Sequence, residues 1–185
     1  MKKIFFLLIT LNAFCFSQTL AQTDKATVTW TAFKTLAKVG VSGDFSSTLY
    51  IPAYKQNKDL SSLMVGSKII IDSTKIDTKN PARDATISEM FFKHLQTTII
   101  KGKIISLDET KSTINIELQM GGITKIIPMK YELNNNIFKA NGVIDILDFG
   151  GANALASISK SCYDLHEGKT WNDVGIQFQT TILRK

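Results

Sequence analysis

The sequence predicts an all-β fold: an eight-stranded antiparallel up-and-down barrel with one or two short helices. Three observations predict it. Apolar and polar residues alternate with a period of two along most of the chain, which places them on opposite faces of strands. One face of most strands is polar, as in antiparallel sheets, whereas parallel strands are apolar on both faces. The strands follow one another without long crossovers, and closure into a barrel removes exposed edges.

The alternation is clearest in the middle of the chain. Within 113–120, Ile114, Ile116, Leu118 and Met120 fall on one face, and the residues between them are polar. The same pattern marks four more strands, at 27–31, 123–133, 137–146 and 174–182. Weaker strand candidates are Val39–Tyr50, Ser67–Ile76 and Thr97–Leu107. The sequence therefore predicts eight strands.

Short turns separate three of these strands. Gly121–Gly122 stands between 113–120 and 123–133, and Asn134–Asn136 leads into 137–146. Glycine and asparagine both tolerate the positive φ values that tight hairpin turns require. We therefore expect the three strands to form a meander.

Two segments break the alternation and predict the short helices. In Asp84–Lys93, Ile87 and Phe91 are four residues apart, which is the spacing of one helix face. In Ala152–His166, a single apolar stripe recurs at intervals of three, four and three residues: Leu155, Ile158, Cys162 and Leu165. Gly168 marks the predicted end of this second helix.

The first 21 residues have the three-part layout of a secretory signal peptide. Two lysines form a basic start, Ile4–Phe16 is almost wholly apolar, and Thr19–Ala21 supplies the residues before a cut. The apolar run is shorter than the roughly 20 residues that a membrane span needs, so we do not expect the chain to span a membrane. The predictions are cleavage after Ala21, one mature domain over 22–185, and a periplasmic or secreted protein.

A lipoprotein acylated at Cys15 is the alternative to simple cleavage. Such a signal wants a small residue before the cysteine, and Phe14 stands there. Cleavage after Ala21 leaves Cys162 as the one cysteine, so no intramolecular disulfide is expected, although an exported protein would be permitted one. Stability must then come from packing and sheet closure.

Charge and motifs narrow the function classes. Removing residues 1–21 takes two lysines and no acid, so 20 basic and 16 acidic residues remain and the formal net charge is about +4. The lysines are scattered, whereas a nucleic-acid site needs basic residues that are clustered, so we expect no nucleic-acid partner.

The sequence has no G-x-S-x-G, H-E-x-x-H or phosphate-loop motif. We therefore predict no enzyme activity, no cofactor and no metal.

Several short motifs, in chain order, resemble the signature of the YceI-like family. Thr78–Asp84 reads T-K-N-P-A-R-D, and Ile87 and then Phe91–Phe92 follow it. The other matching landmarks are Trp30, Val41–Phe45, Gly122–Lys125, Asp148–Gly150 and Val174–Leu183. No motif is specific alone, but the ordered set covers almost the whole mature chain.

The resemblance implies a lipocalin-like barrel whose long interior cavity binds polyisoprenoid or other long-chain amphiphiles. The predicted function is an exported binding protein that holds a polyisoprenoid, a quinone or a fatty-acid-like molecule for transport or storage. The candidate apolar lining is Trp30, Phe45, Phe91, Ile116, Leu118, Met129, Phe138, Phe149 and Phe178. Alternation alone does not separate a cavity from a filled core, because a small eight-stranded barrel either is packed or holds one ligand.

Asn80, Arg83 and Asp84 are the candidate polar groups at the mouth of the cavity. The structural alternative is that Asn80 or Asp84 caps the short helix, whose first N–H groups need acceptors, and that Arg83 pairs locally. The sequence departs from the family at Thr86, where histidine is often found, and ahead of Asp148, where arginine is common. These departures concern contacts to a ligand head group and leave the apolar interior unchanged.

Two other functions stay open. Cys162 and His166, four residues apart on the predicted helix, could form a thiolate–imidazole pair or half of a metal site, but His94 is the only other histidine. The barrel could also be the scaffold of an envelope stress or interaction protein, which an exposed apolar patch or a stable partner would reveal. The sequence leaves a homodimer open.

Overall fold

The computed structural model describes residues 18–185, and most of them lie in antiparallel strands. The strands are β1 (Leu20–Lys34), β2 (Val39–Phe45), β3 (Thr48–Ile51), β4 (Gln56–Asn57), β5 (Lys68–Asp72), β6 (Ile76–Asp77), β7 (Ile99–Asp108), β8 (Thr113–Met120), β9 (Ile123–Asn134), β10 (Ile137–Asp145) and β11 (Thr170–Arg184). The helices are α1 (Leu60–Met64), α2 (Pro81–Ile87), α3 (Ala152–Ser161) and α4 (Tyr163–His166), with a π-helical turn at Ser88–Phe92 and a 3-10 turn at Ile146–Phe149.

The strands close into a barrel. β2 and β3 are two halves of one bent strand, and β5 and β6 are two halves of the next. Asp44 of β2 pairs with Asp77 of β6, and Thr48 of β3 pairs with Ile71 of β5. The sheet then continues in chain order from β5 through β7 to β11, and β1 pairs with both β11 and β2. The predicted antiparallel up-and-down barrel is confirmed. It has eleven strands rather than the predicted eight, because two predicted strands are each divided in two and the two-residue β4 is added beside the start of β1.

Two of the predicted strands are each broken by a local turn. Val39–Tyr50 breaks at Ser46–Ser47, and Ser67–Ile76 breaks after Asp72. The Asp72 Oδ1 atom accepts hydrogen bonds from the Thr74 N–H at 2.9 Å and the Thr74 hydroxyl at 2.6 Å. A carboxylate that captures the N–H two residues onward builds a turn without glycine or proline. The apolar pattern carries no sign of such a turn.

The helix predicted over Asp84–Lys93 begins earlier, at Pro81, and ends in the π-helical turn at Phe92. Asn80 sets the start, because its Oδ1 accepts a hydrogen bond from the Arg83 N–H at 3.1 Å. Proline suits the first helical position, since the N–H that it lacks would have no partner there. The predicted cap by Asn80 is confirmed.

The helix predicted over Ala152–His166 is interrupted at Cys162. α3 ends at Ser161 and α4 begins at Tyr163, and Cys162 between them has φ −112° and ψ 23°, outside helical values. The predicted stop at Gly168, where φ is 67°, is confirmed. The prediction of one continuous helix is wrong, because the spacing of apolar residues does not report whether the backbone between them stays helical.

Sequence reasoning missed β4 and α1. Asp59 caps α1, and its Oδ1 accepts from the Ser62 N–H at 2.7 Å. Leu63 and Met64 of α1 are fully buried. Gln22 at the start of β1 ties this helix to the sheet, because its Nε2 donates to the Leu63 carbonyl at 2.8 Å. α1 is therefore part of the core rather than a surface decoration.

One end of the barrel is tightly packed with aromatic rings. Phe138 and Phe178 are almost fully buried, with ring centroids 6.2 Å apart. Tyr131 stacks on Phe138 at 4.9 Å, and Tyr50 lies 5.6 Å from Phe178. The Tyr50 hydroxyl donates to Gln22 Oε1 at 2.5 Å, so this buried polar group has a partner. We call the region around Tyr50, Tyr131, Phe138 and Phe178 the packed end.

The start of β1 overlaps the predicted signal peptide. Leu20 and Ala21, which the predicted cut would remove, pair with residues of β11 and β4. The segment 1–17 of the predicted signal peptide, with Cys15, lies outside the described residues. None of the helices in 18–185 has the length and apolarity needed to cross a bilayer.

Candidate functional site

The other end of the barrel is hollow. It holds a cavity of about 430 Å³, which lies within the roughly 300–1,000 Å³ of small-molecule sites. Its wall comes from the second half of β1, from β2 and from the first half of β11. α2 and the π-helical turn line one side, and α3 and α4 line another. We call this region the hollow end.

The wall of the cavity is almost wholly apolar. Three phenylalanines form a cluster on it: the rings of Phe45 and Phe92 are 6.1 Å apart, and those of Phe91 and Phe92 are 5.1 Å apart, both edge to face. Aliphatic side chains from every strand except β3, β4 and β9 also line the cavity. Such a wall offers an apolar chain dispersion contacts and release from water.

Four of the nine residues predicted to line the cavity do so: Trp30, Phe45, Phe91 and Leu118. The other five lie in filled parts of the core: Ile116, Met129, Phe138, Phe149 and Phe178. All five are buried, as alternation predicts for the four that lie on strands; Phe149 lies in the 3-10 turn after β10. Alternation shows which residues face the interior of a barrel, but it does not show where along the barrel axis the interior is filled. These five residues pack the filled part of the core and do not line the cavity.

Sequence reasoning found the apolar stripe of α3 and α4 but missed its place in the cavity wall. Leu155, Ile158, Cys162 and Leu165 all line the cavity. Leu165 is 73% exposed, so it stands at the opening. The signal was present, because an amphipathic helix beside a complete barrel must bury its apolar face against something. The sequence does not say that this something is a cavity.

Trp171 stands at the same opening and is held there by one hydrogen bond and two cation–π contacts. Its Nε1 donates to the Thr35 carbonyl at 2.7 Å, which ties β11 to the hairpin between β1 and β2. The Lys38 and Lys169 ammonium groups lie 4.5 and 4.4 Å from the ring centroid. Because the ring also lines the cavity, Trp171 forms a fixed part of its rim.

Thr78 organises the polar groups beside α2. The Asp84 Oδ1 atom accepts from the Thr78 N–H at 2.9 Å and from its hydroxyl at 2.5 Å. Arg83 donates from Nε to the Thr78 hydroxyl oxygen at 2.9 Å and from Nη2 to the Thr78 carbonyl at 2.8 Å. Asn80 and Arg83 line the cavity, whereas Asp84 does not. Of the three polar residues predicted at the mouth, the structure therefore brings two to the cavity and gives Asp84 a structural contact.

Trp30 adjoins this polar corner. Its indole lies over Gly43, where a Cβ atom would sit 2.6 Å from Trp30 Cζ2, 3.0 Å from Trp30 Cε2 and 2.8 Å from Thr78 Cγ2. The indole and Thr78 thus converge on one point, and Thr78 holds Arg83. The Trp30 Nε1 atom is buried without a hydrogen-bond partner among the residues that the structure describes. We call Trp30, Asn80 and Arg83 the polar corner.

The charge on the cavity wall has one sign. Lys34 and Arg83 are its charged side chains, and no carboxylate of residues 18–185 lines it. Neither cation belongs to an ion pair in that part of the chain. A charge at an apolar surface is weakly screened, so its field reaches farther than it would in water.

Cys162 lines the cavity as a neutral thiol. Burial raises the pKa of Cys162, and the nearby Lys34 ammonium offsets only part of that rise. Reactive cysteines have a lowered pKa instead. The helix break at Cys162 also removes the continuous helix that the predicted pairing with His166 requires. Within 18–185, no three His, Cys, Asp or Glu residues are grouped as a metal site would need.

Comparison with known proteins gives a family match over nearly all of the described chain. The model of the YceI-like domain matches residues 20–182. A comparison with curated protein sequences finds no significant match.

Solved structures share this fold at low sequence identity. BcnA of Burkholderia cenocepacia is 14% identical with a TM-score of 0.60, and the match covers 85% of this chain and 96% of that one. A polyisoprenoid-binding domain from Saccharophagus degradans, implicated in plant cell wall breakdown, is 9% identical with a TM-score of 0.58 over 91% and 99% of the two chains. A YceI protein of Campylobacter jejuni is 17% identical with a TM-score of 0.55 over 80% and 86%.

Proposed function

The chain belongs to the family of YceI-like domains, and from this premise we propose that its hollow end binds one long-chain apolar or amphiphilic molecule. The observation that carries the proposal is the cavity of about 430 Å³ with its apolar wall, at the end of the barrel opposite the packed aromatic rings. Polyisoprenoid is the ligand class named for the Saccharophagus degradans domain. A quinone or a fatty-acid-like molecule has the same long apolar tail and is equally compatible with the wall.

The energetics favour reversible carriage. A water molecule occupies about 30 Å³, and a methylene group is of similar size, so the cavity holds on the order of 14 such groups. Burial at about 0.8 kcal/mol per methylene gives roughly 11 kcal/mol. Association and ordering cost about 4–15 kcal/mol. The net affinity is therefore modest, which suits a carrier that loads and unloads.

We also propose that the protein is exported and acts in the periplasm or outside the cell. The support is the signal-peptide layout of its first 21 residues. A lipid carrier in an aqueous compartment between membranes would shield the chain from water in transit. The thiol of Cys162, with its raised pKa, offers no activated nucleophile, so we propose binding without chemistry.

The mature N-terminus tests the export proposal. Mass spectrometry of the protein from its native host should show a chain that has lost the apolar run, with cleavage after Ala21 as the predicted cut. Such a cut would leave β1 to start at Gln22 and remove the pairing of Leu20 and Ala21 with β11. A cut before Thr19 would retain that pairing and correct the cleavage site. An intact residue 1–21 segment in the mature protein would contradict export.

Native mass spectrometry tests the binding proposal. We expect protein purified from its native host to carry one extra mass, which solvent extraction releases as a long-chain species. The extracted protein should then take up added palmitate or farnesol at one molecule per chain. The same protein, unfolded in urea, serves as the control for adventitious association. A folded chain that carries nothing and takes up neither probe would contradict the proposal.

A further inference from the structure

The polar corner points to the chemistry of the ligand head group. Both charged side chains on the cavity wall are cations, and no carboxylate among residues 18–185 lines it. A neutral ligand could accept hydrogen bonds from these cations but would bring no negative charge to pair with them. A cationic head group would be repelled by them, and a bare hydrocarbon would leave their charge uncompensated against an apolar wall.

Arg83 is held in position but keeps spare donors. Two of its N–H groups are bonded to Thr78, at 2.9 Å from Nε and 2.8 Å from Nη2. A guanidinium has five N–H donors, so three have no acceptor among the described residues. Asp84 is its nearest acidic neighbour in sequence. The Asp84 Oδ1 atom accepts hydrogen bonds from the N–H and hydroxyl of Thr78, and Asp84 does not line the cavity. The guanidinium is half-buried and already oriented, which lowers the entropy lost when it binds a partner.

Trp30 adjoins the residue that positions Arg83, and its own donor is buried. The Trp30 indole and the Thr78 side chain both lie close to Gly43, and the Thr78 hydroxyl oxygen accepts a hydrogen bond from Arg83 Nε. The Trp30 Nε1–H has no partner within 18–185. Both side chains supply donors and neither supplies an acceptor. The corner therefore matches a head group that has acceptors only. A carboxylate or a phosphate meets this condition and also brings the negative charge that the unpaired Arg83 guanidinium lacks, whereas a quinone carbonyl brings no charge.

Lys34 is the weaker candidate for the same role. It lines the cavity beside Cys162, on the side of α3. Its ammonium makes no hydrogen bond or ion pair in the described chain, so a long flexible side chain would have to be ordered on binding. Arg83 has already been ordered by Thr78, and the head group is assigned there.

The cavity volume limits the tail. About 430 Å³, at about 30 Å³ for each water-sized group, accommodates one chain of on the order of 14 carbons. A lipid with two such tails would need about twice this volume, and a much longer polyisoprenoid would extend beyond the cavity.

We propose that the physiological ligand is a single-chain anionic amphiphile, with a carboxylate or phosphate head group at Arg83 and a tail of about 14 carbons in the cavity. The assignment rests on the proposed function, since it names the ligand of the same cavity.

Calorimetry with a matched head-group series tests this inference on the extracted protein. The probes share one tail: tetradecanoate, tetradecyl phosphate, tetradecanol and tetradecyltrimethylammonium. We expect the two anions to bind roughly tenfold or more tightly than the alcohol, because charge-assisted hydrogen bonds are the stronger ones, and the ammonium to bind most weakly. The carboxylate and the phosphate are compared directly, so the tighter one identifies the source of the anion.

Variants locate the head group. Arg83→Gln should remove the preference for anions and leave the affinity for tetradecanol within about twofold, because the tail contacts are unchanged. Lys34→Gln is the matched control and should retain most of the preference. Circular dichroism verifies that each variant is folded, and the head-group series on the unaltered protein decides the matter even if Arg83→Gln does not fold.

The outcomes separate the two proposals. If none of the four probes binds, the proposed function fails. If all bind with equal affinity, or the alcohol or ammonium binds best, the binding proposal stands and the anionic assignment is overturned. A preference lost in Lys34→Gln but kept in Arg83→Gln would overturn the placement of the head group. An affinity that keeps rising for carboxylates well beyond about 14 carbons would overturn the limit on the tail.

Discussion

Gly43 faces Trp30 across the ladder between β1 and β2, and no larger residue fits between the indole and Thr78. A Cβ atom there would lie 2.6 Å from a ring carbon, well inside van der Waals contact. An indole is rigid, so it would have to move as a whole and would take the polar corner with it. The V-S-G-D-F segment that the sequence offers as a family landmark thus has a direct physical reason for its glycine.

Substitution of this glycine tests the close approach. We expect Gly43→Ala to lower the free energy of unfolding by about 1–3 kcal/mol through overpacking and to shift the tryptophan emission. Urea denaturation followed by fluorescence measures both. Gly175→Ala is the control, because a Cβ there would be 3.8 Å from its nearest neighbours, an ordinary contact. Equal effects in the two variants would contradict the close packing at Trp30.

The thiol of Cys162 provides a pH-dependent probe of the cavity wall. Its thiolate is the reactive form, and burial raises the pKa of the thiol above its ordinary value. At pH 8, iodoacetamide should therefore alkylate Cys162 in the folded protein more slowly than it alkylates a free cysteine. The alkylation rate should increase with pH only above the pH range in which ordinary thiols titrate. The urea-unfolded chain is the reference.

A bound ligand should slow this alkylation further, since Cys162 lines the cavity. Mass spectrometry of the modified protein at several pH values measures the rate. If the folded protein is alkylated at pH 8 as fast as the unfolded chain or faster, the thiol is activated. The interpretation of Cys162 as an unreactive residue of the cavity wall would then be wrong.

At the residue scale, sequence reasoning identified chemistry better than position. It offered Asn80 or Asp84 as the helix cap and placed Trp30 and Phe45 on inward faces, because capping and alternation are local rules. It could not tell that Arg83 reaches the cavity while Asp84 turns to Thr78. That choice depends on which groups the fold brings beside each side chain, and those groups come from several elements.

Among the elements, β1 and β10 show how one barrel can be empty at one end and full at the other. Ala32 lies on β1 between Val41 and Val174, and all three line the cavity. Ala140 lies on β10 between Tyr131 and Phe178 and is fully buried. The two alanines are equivalent in pattern, and only their surroundings differ.

This pair gives a matched test of the hollow end. Ala32→Leu should leave the free energy of unfolding within about 0.5 kcal/mol of the parent or raise it, because the added carbons enter free space. It should also weaken binding of a long chain about tenfold, since roughly two methylene-equivalents of tail burial would be displaced. Thermal unfolding and calorimetry measure the two effects.

Ala140→Leu should do the opposite. The same added carbons meet Tyr131 and Phe178 at full packing, so we expect a loss of about 1–3 kcal/mol. Once folded, this variant should bind as the parent does. If Ala32→Leu is as destabilising as Ala140→Leu, the space beside Ala32 is already filled by protein and the hollow end does not exist as described.

At the element scale, periodicity predicted where strands and helices lie but not where they break. The stretches 39–50 and 68–77 each behave as one barrel strand with a bend, and Asp72 and its hydrogen bonds explain the second bend. The stripe from Leu155 to Leu165 is apolar throughout although the helix stops at Cys162. Side-chain spacing reports burial, while such breaks are set by single backbone hydrogen bonds.

For the whole molecule, closure and partial filling go together. A small closed barrel has an interior just wide enough for side chains or for one ligand. Here the aromatic rings of the packed end fill one half, and α2, α3 and α4 line the other half without filling it. The packed half supplies stability, so the hollow half can be left open to a ligand.

Alternation left open whether the barrel interior is a cavity or a filled core. The structure has both, a cavity at one end of the barrel axis and a filled core at the other. Sequence patterning predicted the closed barrel because strand order and polarity are local properties. The amount of empty space is the difference between barrel volume and summed side-chain volume, and that difference depends on every wall residue at once. The family resemblance, rather than the pattern, predicted a ligand.

A high-resolution crystal structure of the protein purified from its native host would show whether the hollow end holds a ligand. We predict tube-shaped density in the hollow end, bounded by β1, α2 and α3, with one end at Arg83 and no density between the rings of the packed end. A hollow end filled by its own side chains, or a bound chain at any other place in the barrel, would contradict the account.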